Sequence, residues 1–304
     1  MSNPRADRVR DVAKLAQRSA RSRRGLFLAE GPQAVREALR LDARRAAAGS
    51  PRLVAEVYAS RACLERYPEL DSLVRPGGAL RLATDEVLAA MADTVTPQGI
   101  LAVCRQLDAS LDEVLSRGPK LVAVLCRVQD PGNAGTILRA ADAAGADAVV
   151  FTEGSVDVYN PKTVRSTVGS LFHVPFVVGA EIAELADRLR SAGVGILAAD
   201  GYGTVDLDAL QDESAARRLA PATRGEGEPI ATEGAPSYAL EAPTAWLFGN
   251  EAQGLADPEL ALADARVAVP VYGEAESLNV GTAATVCLYA SARAQRRTPG
   301  STHR

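Results

Sequence analysis

The sequence predicts an α/β protein in which a smaller N-terminal α/β domain precedes a larger α/β domain with a mostly parallel sheet. Three observations predict it. From Pro119 onward, short apolar runs and helical segments alternate strictly, the pattern of strands joined by crossover helices and covered on both faces. Residues 1–106 show strand and helix signals in a looser order. Residues 107–118 between them read as a linker with room for one helical turn. The 304 residues, 47% hydrophobic and 24% charged, suffice for one large or two ordinary domains. With aromatics at only 4%, the core must rest on Ala, Leu and Val.

Residues 8–24 read as one basic helix that stops at Gly25. Gly25–Gly31 is a short strand-like run closed by glycine, residues 32–48 a helix, and residues 52–58 a strand. In the second domain, Leu121–Cys126 is a strand and Gly132–Ala144 a helix that stops at Gly145. Strand and helix then alternate as Asp147–Thr152, Pro161–Val168, Val174–Val178, Ala180–Ala192 and Val194–Ala199. Thr244–Gly249 and Arg266–Val269 are strands, and Val280–Gln295 closes the domain at residue 297. Residues 213–240 are rich in Pro, Gly, Glu and Thr and read as a surface insertion. Residues 298–304 read as a disordered tail.

Charge and composition exclude several classes. The formal net charge of −4 argues against general affinity for nucleic acid. Its distribution differs: residues 1–50 hold 12 Lys and Arg against 5 Asp and Glu, whereas residues 200–264 hold 3 against 13. The basic end, with Arg21, Arg23 and Arg24, is a candidate handle for phosphate; the alternative is a solvated helical arm. Cys63, Cys104, Cys126 and Cys287 are scattered and read as buried small hydrophobes in a reducing compartment. No apolar signal segment and no run of about 18 apolar residues is found, so a cytoplasmic protein that does not span a membrane is expected. There is no G-x-G-x-x-G, no phosphate loop and no G-x-S-x-G elbow. Only two histidines are available, so no metal site is expected.

Three loops carry the candidate chemistry. The first runs from Val128 through Pro131-Gly-Asn133 into a helix that bears Arg139; Asn133 could cap that helix. The second is Leu247-Phe-Gly-Asn-Glu-Ala-Gln-Gly-Leu255, which places Glu251 just beyond a strand's carboxyl end, where open α/β sheets bind ligands. The third, Val269 to Ala284, contains Ser277-Leu278-Asn279 at the start of the last helix, where Ser277 or Asn279 could cap it. Each alone reads equally well as an ordinary turn.

Together, in this order, they resemble the three motifs of the SpoU (TrmH-like) family of RNA ribose 2′-O-methyltransferases. Asp157–Phe172 is similar to that family's second strand–loop–helix unit, and Gly25–Gly31 to the start of its ribosomal-protein-like substrate-binding domain. The resemblance implies a trefoil-knotted C-terminal domain, S-adenosylmethionine as cofactor, a homodimer and no metal. It implies cofactor contacts at Thr152, Glu153, Gly154, Leu247, Phe248, Gly249, Asn250, Val269, Val271, Ser277 and Leu278. Arg139 would act at the reacting hydroxyl, with Asn133, Glu251, Ser277 and Asn279 around it and Arg165 on RNA phosphate. The small-residue face of the last helix, Gly281, Ala283 and Ala284, is the expected dimer surface. The extra N-terminal domain favours ribosomal RNA over tRNA. A non-catalytic RNA-binding protein of the same fold is the rival reading.

Overall fold

In a computed structural model of the chain, residues 1–77, 79–219 and 238–296 are described. Most of the expected 213–240 insertion and the 298–304 tail lie outside the described residues.

The chain opens with α1 (Asp7–Ala13), a 3₁₀ turn at Lys14–Ala16 and α2 (Arg18–Arg24). The single helix expected over 8–24 is thus broken, at Gln17, whose backbone is extended (φ −92°, ψ 132°). A break leaves carbonyls without helical partners. Those of Leu15 and Ala16 accept hydrogen bonds of 2.9 and 2.7 Å from the Arg21 guanidinium. Arg21 also binds Asp157, with Nε 3.0 Å from Oδ2, and is 2% exposed. A buried cation with these partners holds the corner together and cannot reach phosphate. The expectation that Arg21 contacts RNA is therefore corrected; Arg23 and Arg24 are exposed.

Next come β1 (Leu26–Glu30), α3 (Pro32–Ala47), β2 (Val54–Ala59), α4 (Arg61–Arg66), α5 (Pro68–Val74), β3 (Leu80–Leu82), α6 (Asp85–Met91) and β4 (Ile100–Arg105). They form a four-stranded sheet of order β1-β4-β2-β3, in which β4 is antiparallel to both neighbours and β3 parallel to β2. Leu28, Tyr58, Val87, Leu88, Met91 and Leu101 bury its core.

The linker does hold a helical turn, α7 (Leu111–Leu115), begun by a capping box between Ser110 and Glu113. Then follow β5 (Leu121–Leu125), α8 (Pro131–Ala144), β6 (Ala148–Thr152), α9 (Pro161–Ser166), β7 (Phe176–Ala180), α10 (Ile182–Ser191), β8 (Gly195–Ala199), β9 (Val205–Asp206), α11 (Leu207–Leu219), β10 (Thr244–Phe248), α12 (Asp257–Leu260), β11 (Ala265–Ala268) and α13 (Val280–Arg296). The seven strands are all parallel, in the order β7-β6-β5-β10-β8-β11-β9. Every residue of β5, β6 and β10 is buried, which is why these strands read as unbroken apolar runs rather than alternating ones. The edge strand β9 was not foreseen. Residues 213–219, assigned to the insertion, are the end of α11, whose buried stripe is Leu207, Leu210 and Ser214.

Two compact units result, and they cut across the expected domain boundary. The first is Met1–Asp108 with Asp130–Arg139 and Val156–Pro175; the second is Ala109–Gln129, Ala140–Ser155 and the rest of the chain. The reason lies around β1. The Phe27 ring meets Tyr159 at 4.7 Å and Phe172 at 6.1 Å between centroids. The Leu107 amide donates to the Tyr159 hydroxyl at 2.7 Å, and that hydroxyl bonds Asp108. Together with the Arg21–Asp157 pair, these contacts bind residues 156–175 to the N-terminal sheet.

Candidate functional site

In the second unit, adjacent strands β6, β5 and β10 deliver three loops to one carboxyl edge of the sheet, and hydrogen bonds tie them to each other. The Asn250 side-chain amide donates to the Arg127 carbonyl at 3.0 Å. The Gln129 amide donates to Glu251 Oε2 at 3.0 Å, and the Gln129 carboxamide donates to the Gly154 carbonyl. The Arg127 amide lies 3.2 Å from Thr152 Oγ1, whose hydroxyl reaches the Leu125 carbonyl. The sequence-predicted residues Thr152, Gly154, Asn250 and Glu251 are thus brought together.

The loop after β10 is also closed on itself. Asn250 and Gly254 exchange backbone hydrogen bonds of 3.0 and 2.8 Å, and Asn250 Oδ1 accepts from the Ala252 and Gln253 amides. A Cβ on Gly249 would stand 2.3 Å from the Gly254 carbonyl carbon, so only glycine allows this crossing of backbones.

Sequence reasoning missed the pair that locks this edge. The Arg127 guanidinium makes two 2.8 Å hydrogen bonds to Glu259, on α12. Arg127 itself adopts φ +54°, uncommon for a residue with a side chain. Burial pushes the Glu259 carboxyl up, but the Arg127 hydrogen bonds, the Ala256 amide and the Arg127 charge together hold it below the usual carboxylate range. No sequence signal joins residues 132 positions apart.

Leu247, Phe248 and Gly249 are buried, so they can present only backbone at the edge. Part of that backbone is engaged: the Phe248 carbonyl accepts from Cys126 and the Glu153 amide donates to Ala180. The loop after β11 leaves the same edge, but β8 lies between β11 and β10. Val269 is half-buried, and residues 271–279, including Val271, Ser277 and Leu278, are exposed. The Tyr272 hydroxyl bonds Asp208, and Asn279 Oδ1 caps α13 through the Gly281 amide at 2.8 Å. Of the two candidate caps, Asn279 fills the position. From β6 to β11 is four strand steps, about 19 Å at the usual inter-strand spacing. This is a shelf long enough for an extended nucleoside cofactor, built from glycine-rich backbone and flanked by exposed Val271 and Leu278.

The first unit holds the start of α8. Its cap is Asp130, not Asn133: Asp130 Oδ1 accepts the Asn133 amide at 2.8 Å, because the helix begins at Pro131 and Asn133 already lies in its first turn. Arg139 is exposed on this helix. Arg165 is placed in two ion pairs, 3.1 Å to Glu30 and 3.1 Å to Asp93. Among the described residues, no cluster of His, Cys, Asp or Glu could hold a metal, and no helix is long and apolar enough to cross a membrane.

Comparison with known proteins bears on both units. Residues 120–289 match the SpoU rRNA Methylase family model, and residues 6–102 match the MRM3-like substrate binding domain. The chain is 33% identical over 282 residues to a 23S rRNA guanosine 2′-O-methyltransferase of Bacillus subtilis, covering 93% of this chain and 94% of that protein. It is 30% identical over 219 residues to a 23S rRNA uridine 2′-O-methyltransferase of Streptomyces viridochromogenes, covering 70% and 67%. Among solved structures it resembles the AdoMet-bound rRNA methyltransferase of Sinorhizobium meliloti, with TM-score 0.74 and 25% identity over 98% of each chain. It also resembles the AdoMet complex of the SpoU methyltransferase AviRb of Streptomyces viridochromogenes, with TM-score 0.72 and 27% identity over 95% and 98%.

Proposed function

The chain belongs to the SpoU rRNA methylase family and is an S-adenosylmethionine-dependent RNA ribose 2′-O-methyltransferase; we propose that its substrate is ribosomal RNA. The observation that carries this target is the N-terminal match to a substrate binding domain, in a chain whose full-length relatives act on 23S rRNA. The relatives' targets include both a guanosine and a uridine, so the family alone does not fix the base. Methyl transfer from labelled S-adenosylmethionine into RNA from a strain lacking the gene tests the target. Label in the large ribosomal RNA is expected; label confined to tRNA would overturn the proposal.

The shelf of the second unit fits the cofactor, which when bound supplies an electrophilic methyl group on sulfonium sulfur. Thr152, Gly154, Gly249 and Asn250 would hold one end, and Val269, Val271, Ser277 and Leu278 the other. Glu251 holds the first loop by its bond to Gln129, and Asn279 orders the helix start behind Ser277 and Leu278. Arg139 acts on the substrate. A ribose hydroxyl is a weak nucleophile, and an oxygen that becomes negative is stabilised by a fixed cation beside it. A guanidinium stays protonated near neutral pH, so Arg139 serves as that cation, and the hydroxyl proton leaves to water or phosphate. Asn133, six residues before Arg139 on α8, orients the ribose. Alignment of the reacting atoms supplies about 7–11 kcal/mol of the barrier reduction. Arg23 and Arg24 provide phosphate contacts, whose loss steepens with salt; Arg165 reaches RNA only by giving up an ion pair.

We assign the homodimer to α13, but not to the face expected from sequence. Gly281 and Ala284 are buried, and α13 lies against β5, β8 and β10. The free stripe is Thr282, Val286, Tyr289 and Arg293, all exposed. Two apolar side chains in an exposed stripe favour a partner surface. Sedimentation should show a dimer for the native chain and a monomer for Val286→Glu with Tyr289→Glu; a native monomer at micromolar concentration would refute the assembly.

A further inference from the structure

We propose that a cavity in the first unit binds one unpaired nucleobase of the RNA substrate; the inference rests on the methyltransferase reading and names a recognition element for it. The cavity measures about 270 Å³ and lies among the end of α6, the start of β4 and the end of α9. Pockets for small molecules run from roughly 300 to 1,000 Å³. This one has room for a single planar ring system. Its floor is apolar, made by the buried side chains of Leu88, Ile100 and Leu101. Its walls carry the carboxamide of Gln98, with donors and an acceptor, and that of Gln33, whose oxygen already accepts from Arg36 at 2.6 Å.

Charge selects the ligand class. Glu30, whose side chain is 4% exposed, and Asp93 share the single guanidinium of Arg165. Glu30 Oε1 also accepts the Asp93 amide at 2.9 Å. Glu30 in the lining and Asp93 beside it already match the Arg165 charge, which disfavours phosphate in the cavity. A neutral ring with N–H donors is favoured, and the planar guanidinium offers it a stacking face. Single-stranded RNA is read in this manner, by edge hydrogen bonds and by stacking on aromatic or guanidinium planes.

The lip of the cavity is built at a conformational cost. Val168 lines it with φ +52°, uncommon for a β-branched residue, and is 42% exposed. The residue follows Thr167, the C-cap of α9, and its left-handed backbone ends that helix, with its amide donating to the Arg165 carbonyl. At the opposite rim Gly31 has φ +88°, and a Cβ there would stand 2.8 Å from Gln98 Oε1. Glycine leaves that carboxamide its place.

The cavity also shares a unit with the reacting-site arginine. Arg165 and Val168 lie on and just after α9, and α9 meets α8 backbone to backbone. A Cβ at Gly135 would stand 2.4 Å from Ser166 Cβ and 2.7 Å from the Thr163 carbonyl oxygen. Arg139 is one turn beyond Gly135. A base held in the cavity sets the register of the RNA against the helix that carries Arg139.

The test uses the full chain with labelled Ile, Leu and Val methyl groups, titrated in turn with adenosine, guanosine, cytidine and uridine to millimolar concentration. At least one nucleoside should shift the Leu88, Ile100, Leu101 and Val168 signals saturably, and Gln98→Trp, an exposed rim substitution that fills the opening, should abolish the shift. In parallel, Gln98→Trp should lower kcat/KM on ribosomal RNA roughly ten- to hundredfold, the scale of one lost base-stacking contact, with S-adenosylmethionine affinity unchanged. If no nucleoside moves these signals, or if Gln98→Trp methylates as the native enzyme does, the cavity is not a base site. If the native enzyme methylates no RNA while a nucleoside still binds there, the methyltransferase reading fails and the cavity assignment stands.

Discussion

The loops after β5, β6 and β10 and the loop after β11 leave the same edge of one parallel sheet, yet they are held in opposite ways. The first three are cross-tied by Asn250, Gln129, Thr152 and Glu251 and locked by the Arg127–Glu259 pair. The last exposes nine consecutive residues, 271–279, with Tyr272 bonded to Asp208 and Asn279 capping the next helix. Fixing a free side chain or backbone costs conformational entropy at the moment of binding. One part of the shelf has met that cost in folding. On the proposed assignment the other meets it when the cofactor arrives, so its order is expected to report on binding.

Both stretches are proposed to hold the cofactor, so the largest effect on chemistry should come from a residue in neither. Arg139→Ala should lower methyl transfer by about 10²–10³, the scale of one lost oxyanion donor, and leave S-adenosylmethionine affinity unchanged. Arg139→Lys should also be poor, because an ammonium lacks the planar fork. Single-turnover transfer at a near-native rate by Arg139→Ala would show that the reaction is run by another group.

Breaking the locked stretch comes next. Arg127→Ala leaves the Glu259 carboxylate, 7% exposed, without its counter-charge. Fully buried pairs lose about 3–5 kcal/mol in this way. Because the Arg127 side chain is 32% exposed, about 1–3 kcal/mol is expected after allowing for solvent screening. Thermal unfolding should show a drop of several degrees, with weaker cofactor binding by calorimetry. Tyr272→Ala should also weaken cofactor binding but leave stability within about 0.5 kcal/mol. Equal effects of the two substitutions on melting would erase the contrast.

The pH dependence of the lock has a definite sign. Glu259 is held below the ordinary carboxylate range in the folded chain. Its contribution is therefore complete above the unfolded value, near 4.3, and is lost as pH falls through the lower folded value. Urea unfolding from pH 7 to pH 3 should show the native chain and Glu259→Gln converging in acid; a constant gap would mean that the carboxylate charge is irrelevant. Asn279→Ala, which removes the α13 cap, should cost about 1 kcal/mol in denaturant unfolding.

Legibility in the sequence followed how local the cause was. Fully buried strands such as Leu121–Leu125 and Thr244–Phe248 announce themselves, because covering both faces leaves no polar residue. The glycine-flanked loop 249–254 was visible for a similar reason: crossing backbones at Gly249 restrict the residue type on the spot. The break at Gln17 was invisible because the group that satisfies it is a side chain four residues later, bound in turn to Asp157. In α11, a serine in the buried stripe blurred the helical period, so 213–219 read as loop. The Arg127–Glu259 and Arg165–Glu30 pairs join residues 132 and 135 positions apart, and no local pattern encodes either.

The seating of Tyr159 and Phe172 around Phe27 bears on how such chains can be recombined. A crossover in the 107–118 segment looks neutral on paper, since it falls between two regions that separate family models describe. It would nonetheless part Phe27 from both rings, leave the Asp157 carboxylate without Arg21, and take the Leu107 amide from the Tyr159 hydroxyl. A chimera inheriting residues 1–106 from a distant donor would carry a mismatched hydrophobic seam and tend to aggregate. One that also inherits 130–139 and 156–175 would keep the seam whole. Heritable exchange of RNA targets between such enzymes should therefore proceed by discontinuous blocks rather than by swapping one contiguous end.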